Sequence, residues 1–327
     1  MDAIGGYFEL AEIEEGVFPH TDGILLNTGR NALEYILRAI GGIQRIYLPR
    51  LTCQAVLEPL RKLHIPWSFY PVNADLEIAD DLSPEEGEFI IANNYFGIKD
   101  TYIKQLAGKY GHHLIVDCAQ ALLADPIHGI KSFYSPRKFV GVADGGIAYL
   151  DDGCTTPVHI SGTDCSNSHN SHLYTRKRSG AEAGFKEFQE NEIRLENQPI
   201  LQMSDSTRVA LNHIDYTSVA KTRKANFSYL HAHLSSINLL SASLDDGEGT
   251  PMVYPLLLHN GEKLRQILID QRIFVARYWP DVLTRCPNDS IEAFFANNLV
   301  ALPVDQRYGI KEMDLILHVI ESAPSAS

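Results

Sequence analysis

LIVDCAQALLADPIHGIKSFYSPRKFVGVADGG, residues Leu114 to Gly146, decides how the chain is read. Its first three residues, Leu114-Ile115-Val116, form an unbroken apolar run, the pattern of a parallel strand buried on both faces. Asp117 closes that run, and open α/β sheets bind ligands at the carboxyl ends of such strands. A loop with Pro126, Gly129 and Pro136 follows. Lys138 stands 21 residues after Asp117, and Gly145-Gly146 opens a second apolar run, Ile147 to Leu150. The stretch therefore reads as two strands flanking a loop, with a carboxylate near one end and an amine near the other. Alone, the acid would pass for a helix cap and the lysine for a solvated surface residue. Their pairing carries the functional reading.

Toward the N-terminus, Gly23 to Leu26 reads as a strand, followed by Asn27-Thr28-Gly29-Arg30-Asn31. A helix is expected from about Arg30 to Ile40, with Leu33, Ile36, Leu37 and Ile40 at helical spacing. Strand, Thr-Gly, helix is an arrangement that binds phosphate, because the free N–H groups and dipole of the helix start favour an anion. It is equally the arrangement of an ordinary N-cap. Ile46 to Leu48 is expected as a strand, then Pro49-Arg50-Leu51-Thr52-Cys53 and a helix to about Leu63. Trp67 to Val72 and Phe89 to Ala92 read as strands, the second ending in Asn93-Asn94-Tyr95-Phe96-Gly97. Asn94 is there either as a ligand contact or as a turn former. A helix over Tyr102 to Tyr110 leads back to the opening strand. Strands alternating with helices imply a mostly parallel central sheet flanked by helices.

Toward the C-terminus, residues 151–180 are polar and read as a long loop, ending in Arg176-Lys177-Arg178. His159, His169 and His172 match no metal-ligand spacing, so no metal is expected. Ala181 to Glu196 reads as a helix, and Ser204 begins a longer helical region to about Leu234. From about residue 235 a smaller α+β unit is expected. Its strands are Met252–Leu258, Ile273–Trp279 and Asn298–Val304, and its helices Gly261–Gln271 and Ile310–Ser322. The terminal Ser-Ala-Pro-Ser-Ala-Ser reads as disordered. The division is a large domain over 1–234 and a small one over 235–327.

Together these residues resemble the DegT-like sugar aminotransferase family, a branch of the fold-type-I enzymes that use pyridoxal 5'-phosphate (PLP). Asp117 and Gln120, Ser132-Phe133-Tyr134-Ser135 leading into Lys138, and Asp144-Gly145-Gly146 six residues beyond it carry the likeness, which runs from about Leu25 to Ile320. The resemblance implies that Lys138 holds the cofactor's aldehyde and then moves a proton, and that Asp117 holds the pyridine nitrogen protonated. It places Gln120 against the ring and Gly29, Arg30, Ser132 and Ser135 at the phosphate. Asn94 would meet the phenolic oxygen or the substrate. Cys53 stands where the family stacks an aromatic residue on the ring, and Gln202-Met203-Ser204 where it has Arg-Met-Ser. Arg137 leaves a one-residue ambiguity, which the six-residue spacing to Asp144 resolves in favour of Lys138. Arg277 and Tyr278 are expected to face substrate, the guanidinium suiting a donor carboxylate. The implied activity is amino transfer from glutamate or glutamine to a keto-sugar nucleotide, in a homodimer. The alternative is a catalytically degenerate protein of the same fold that binds a nucleotide sugar or a protein partner.

Bulk properties agree. The chain has 327 residues, 45% hydrophobic and 21% charged, enough for a large core and a smaller companion. A net charge of −13 argues against nucleic acid as a partner. The five cysteines form no CxxC pair, so neither a zinc site nor a disulfide framework is implied. No apolar run approaches the roughly 20 residues of a membrane helix, and no signal-like start is seen. A cytoplasmic protein is the expectation.

Overall fold

The structure is a computed structural model that describes residues 2–11, 15–240, 244 and 249–323. Chain order begins β1 (Ile4–Gly5), β2 (Ile24–Leu26), α1 (Gly29–Ile40), β3 (Arg45–Pro49), α2 (Gln54–Lys62), β4 (Trp67–Tyr70), β5 (Glu88–Asn93) and α3 (Asp100–Tyr110). The decisive stretch supplies β6 (Leu114–Cys118), β7 (Lys131–Tyr134) and β8 (Gly146–Tyr149). Four helices follow: α4 (Ser171–Ser179), α5 (Phe185–Arg194), α6 (Asp205–Leu211) and α7 (Tyr216–Leu234). The chain ends with β9 (Val253–Leu257), α8 (Gly261–Asp270), β10 (Ile273–Phe274), α9 (Val282–Arg285), α10 (Ile291–Asn298), β11 (Leu299–Pro303) and α11 (Ile310–Ser322).

Seven strands form the central sheet in the order β2-β8-β7-β6-β5-β3-β4. From β7 to β4 every pairing is parallel, and β8 runs antiparallel to both its neighbours. Alternate residues feed two cores. Ile91 and Ile115 face α1 and α2, whereas Ile90, Leu114 and Val116 face the opposite side. Burial on both faces is why these strands read as continuous apolar runs. Helix α1 starts where the Thr28 hydroxyl accepts the Asn31 N–H at 3.0 Å. It buries Ala32, Leu33, Ile36 and Leu37 and ends at Gly41, whose φ is 65°.

The loop expected between Asp117 and Lys138 contains a strand, β7. Lys131 hides it, because a lysine breaks the apolar pattern. Its side chain is nonetheless buried, donating to the His112 carbonyl at 2.6 Å and pairing with Asp151. The long loop over 151–180 likewise contains α4. That helix lacks an apolar stripe of its own. It is held from outside, by Arg176 donating to the Gly5 carbonyl and pairing with Glu9. The helical region expected from Ser204 to Leu234 is two helices, each with its own cap, Ser204 and Asp215.

The C-terminal unit pairs β9 with β11 antiparallel. Its expected strand over Ile273–Trp279 is only two residues long. The chain leaves the ladder before Trp279, which takes a left-handed φ of 53° ahead of Pro280. Helices α9 and α10 appear where none was expected. Strand β1, in a segment the sequence left unassigned, pairs parallel with β10 and ties the N-terminus to this unit. The terminal tail expected to be disordered falls mostly outside the described residues. No helix among the described residues is long and apolar enough to cross a membrane.

Candidate active site

Asp117 and Lys138 line one cleft, a cavity of about 560 Å³ at the carboxyl ends of β5 and β6. Asp117 sits beside Asn93 of β5 and Phe133 of β7 in the sheet register. It is buried, and its Oδ1 accepts the Ala119 N–H at 2.8 Å. Burial raises its carboxyl above the ordinary value, while the Lys138 ammonium and the Ala119 hydrogen bond pull it back down. That opposing pull places the amine within electrostatic reach of the carboxylate. Lys138 lies in a single helical turn after Ser135 and is exposed to the cleft. Arg137 lines the same cleft, but its guanidinium is engaged in an ion pair with Glu192 of α5.

The turn that presents Lys138 is braced from behind. Arg223 of α7 is fully buried, and its guanidinium donates to the Phe139, Pro251 and Met252 carbonyls and to Gln306 Oε1 at 2.9–3.2 Å. Gln306 adds a second donor to the Phe139 carbonyl at 2.8 Å. Six residues past the lysine, Asp144 is also fully buried. It accepts the Ser204 N–H at 2.8 Å and the Ser204 and Thr207 hydroxyls, and so seats the start of α6. Gly146 lets β8 approach the start of α1, since a Cβ there would lie 2.0 Å from the Thr28 carbonyl oxygen.

The start of α1 forms the other end of the cleft. Thr28, Gly29, Arg30 and Ser135 line it together. A Cβ on Gly29 would lie 3.4 Å from Ser135 Cβ, so the two residues face each other across a narrow cup. Arg30 borders the cup in an ion pair with Glu58 at 3.1 Å. Ser132, grouped with these residues on sequence, is not among them. Strand alternation turns it to the opposite face of β7, beside Cys118 and Tyr134 in a separate small cavity. Phe133 is the residue of that strand that reaches the cleft.

The remaining candidates divide. Gln120 lines the cleft while its Oε1 accepts the Phe96 N–H at 3.0 Å. Cys53 lines it from the start of α2. Asn94 borders it, but its side chain serves the turn into α3, donating to Asp100 and accepting the Lys99 N–H. Its neighbour Asn93 is the one with a buried, unpartnered oxygen on the cleft wall, as is Thr52 with its hydroxyl. Arg277 and Tyr278 line the far side, with Arg277 bonded to Asn297 at 3.1 Å and facing Glu262 at 3.5 Å. Sequence reasoning missed the α4–α5 wall, where His172, Phe188 and Glu192 line the cleft, and the N-terminal Tyr7 and Phe8. Among the described residues no group of three His, Cys, Asp or Glu is placed to hold a metal.

No family model and no curated protein sequence matches the chain. Solved structures do. DesV of S. venezuelae, solved in complex with a ketimine intermediate, aligns at a TM-score of 0.65 and 15% identity, over 93% of this chain and 85% of that one. A DegT DnrJ EryC1 StrS aminotransferase from Brucella abortus aligns at 0.60 and 17%, over 91% and 85%. PseC of Helicobacter pylori, an aminotransferase of pseudoaminic acid biosynthesis, aligns at 0.59 and 13%, over 91% and 85%. The chain thus has, over nearly its whole length, the fold of the DegT-like sugar aminotransferases.

Proposed function

We propose that the protein is a PLP-dependent aminotransferase that delivers an amino group to a keto-sugar carried on a nucleotide. The observation behind this reading is that Asp117 and Lys138 face one cleft whose other end is the N-terminal cup of α1. The residues present fit PLP. The cavity is of cofactor size, and the cup offers Gly29 and Arg30 N–H groups, Thr28, Ser135 and the Arg30 side chain to a phosphate. When bound, PLP would supply an electron sink for the carbanion that forms on loss of the donor's α-proton. Lys138 would hold the aldehyde covalently and, once released, carry the proton. Asp117, kept near the ammonium of Lys138, would hold the pyridine nitrogen charged. Gln120 would border the ring on one side, and Cys53 would provide a small, weakly stacking contact. Arg277 is the candidate for the donor carboxylate, because its guanidinium is exposed on the cleft wall. Glutamate or glutamine is the proposed donor. A homodimer is proposed from the fold and from the apolar Tyr174, Ile193 and Val209, which are exposed along α4 to α6.

The test is spectroscopic. PLP added to the purified protein should give a visible absorbance band that glutamate bleaches and a keto-sugar nucleotide restores. A band that no amino acid alters would refute amino transfer. It would favour the reading as a binding protein, which Cys53 in the stacking position and Glu192 beside the cup already suggest.

A further inference from the structure

The cleft does not end at Lys138. Beyond it lies a second cavity of about 660 Å³, and Lys138, Tyr7, Phe188, Met252, Ala276 and Tyr278 are among the residues of their common wall. The amine therefore stands between a polar compartment, with Asp117 and the α1 cup, and a compartment of different character. Phe185, Phe274, Val275, Ile269, Ala301 and Pro303 complete the second one. Apart from Lys138, the charged side chains at its edge are Arg176, Glu182 and Asp305. Each is neutralised by an ion pair at 2.7 Å, with Glu9, Arg272 and Arg307 respectively.

The walls are built, not collapsed by chance. The segment from Gly5 to Phe8 is strapped across the mouth. Its backbone N–H groups reach Phe274 O from Gly6 at 2.9 Å and Tyr308 Oη from Gly5 at 2.7 Å. Gly5 has a φ of 79°, and a Cβ there would lie 2.5 Å from the Phe274 carbonyl oxygen, so the strap runs as close as a backbone can. Tyr7 donates to the Ala181 carbonyl at 2.8 Å, stacks on Phe188 at 4.7 Å between ring centroids, and carries the Arg176 guanidinium over its ring at 4.8 Å. Both rings are thereby fixed before any ligand arrives.

We infer that this compartment takes an apolar alkyl, acyl or aromatic portion of the carbonyl substrate, whose reacting carbon then lies at Lys138. The inference rests on the aminotransferase reading of the cleft and narrows its acceptor. An apolar group gains from the Phe185, Phe188, Phe274, Val275 and Ile269 surfaces there. A diphosphate would be buried with no cation among the described residues to meet it other than Arg176, held in its ion pair, and Lys138, which the reaction itself engages. A nucleotide portion of the acceptor stays outside this compartment.

The probe is prodan, a neutral naphthyl ketone whose emission shifts on entering an apolar site, titrated into the purified full chain with and without PLP. It should bind saturably. Ala276→Asp and Phe185→Asp alter exposed positions on the wall and should each weaken binding about tenfold or more by placing a carboxylate against the ligand, with melting curves showing both variants folded. UDP should leave bound prodan in place, and prodan affinity should not change with protein concentration. Binding equal in wild type and both variants would overturn the inference, as would displacement by UDP or by a second copy of the chain. Because the cofactor-free titration does not use PLP, a missing PLP band would bring down the aminotransferase reading alone.

Discussion

Acid should loosen the cleft wall through His172. This residue of α4 is 1% exposed and packs its ring near Tyr7 and Phe188, with centroids 6.1 and 5.9 Å away. Burial lowers its pKa from 6.5 to about 4, and the Arg137 cation pushes in the same direction, against weaker upward pulls from Glu192, Glu187 and a bond to the His169 backbone. Below pH 6.5 the unfolded chain takes up a proton that the native protein refuses. The stability contribution is therefore complete above that pH and is lost as pH falls toward 4. Between pH 7.5 and 5 the loss amounts to about 2 kcal/mol by linkage. His172→Phe keeps a ring against Tyr7 and Phe188 and removes the group that titrates. Urea unfolding at several pH values should show the wild type losing about 2 kcal/mol more than the variant over that interval. The same pH dependence in both proteins would refute the assignment of a neutral, buried imidazole.

Asp117→Asn should stabilise the cofactor-free protein while abolishing PLP chemistry. Burial raises the Asp117 carboxyl, so the native state loses stability as pH rises through that value. The gain in melting temperature should be present at pH 8 and shrink in acid, and a variant less stable at every pH would contradict it. Gly146→Ala should cost about 3 kcal/mol or more in chemical denaturation, because its methyl group would meet the Thr28 carbonyl at 2.0 Å. Asp151→Ala strands the buried Lys131 ammonium and should cost about 3–5 kcal/mol. The double variant Lys131→Met with Asp151→Leu should recover most of that loss, and a double variant as unstable as the single one would show that the charge is not the cause.

The parallel core was legible because each strand is buried on both faces and must therefore be apolar throughout. Where a buried position is polar, legibility fails. Lys131 concealed β7, and with it the alternation that turns Ser132 away from the cleft and Phe133 toward it. The same ambiguity separated Asn93 from Asn94, since adjacent residues at a strand end face different surroundings. The acid–amine pair was visible because its spacing is local to one stretch. The rest of the site was not. The wall of α4 and α5 and the strap at Tyr7 are joined by Arg176 to Gly5, Tyr7 to Ala181 and Arg137 to Glu192, contacts 171, 174 and 55 residues apart. No periodicity announces such pairs.

Lys138, and no other residue, is proposed to carry the cofactor. Purified protein should be loaded with PLP, reduced with borohydride, digested and mapped by mass spectrometry. One pyridoxyl label is expected, on the peptide containing Lys138, and no label in Lys138→Ala. A label on Lys177 or another lysine, or none in a protein shown to be folded, would contradict it.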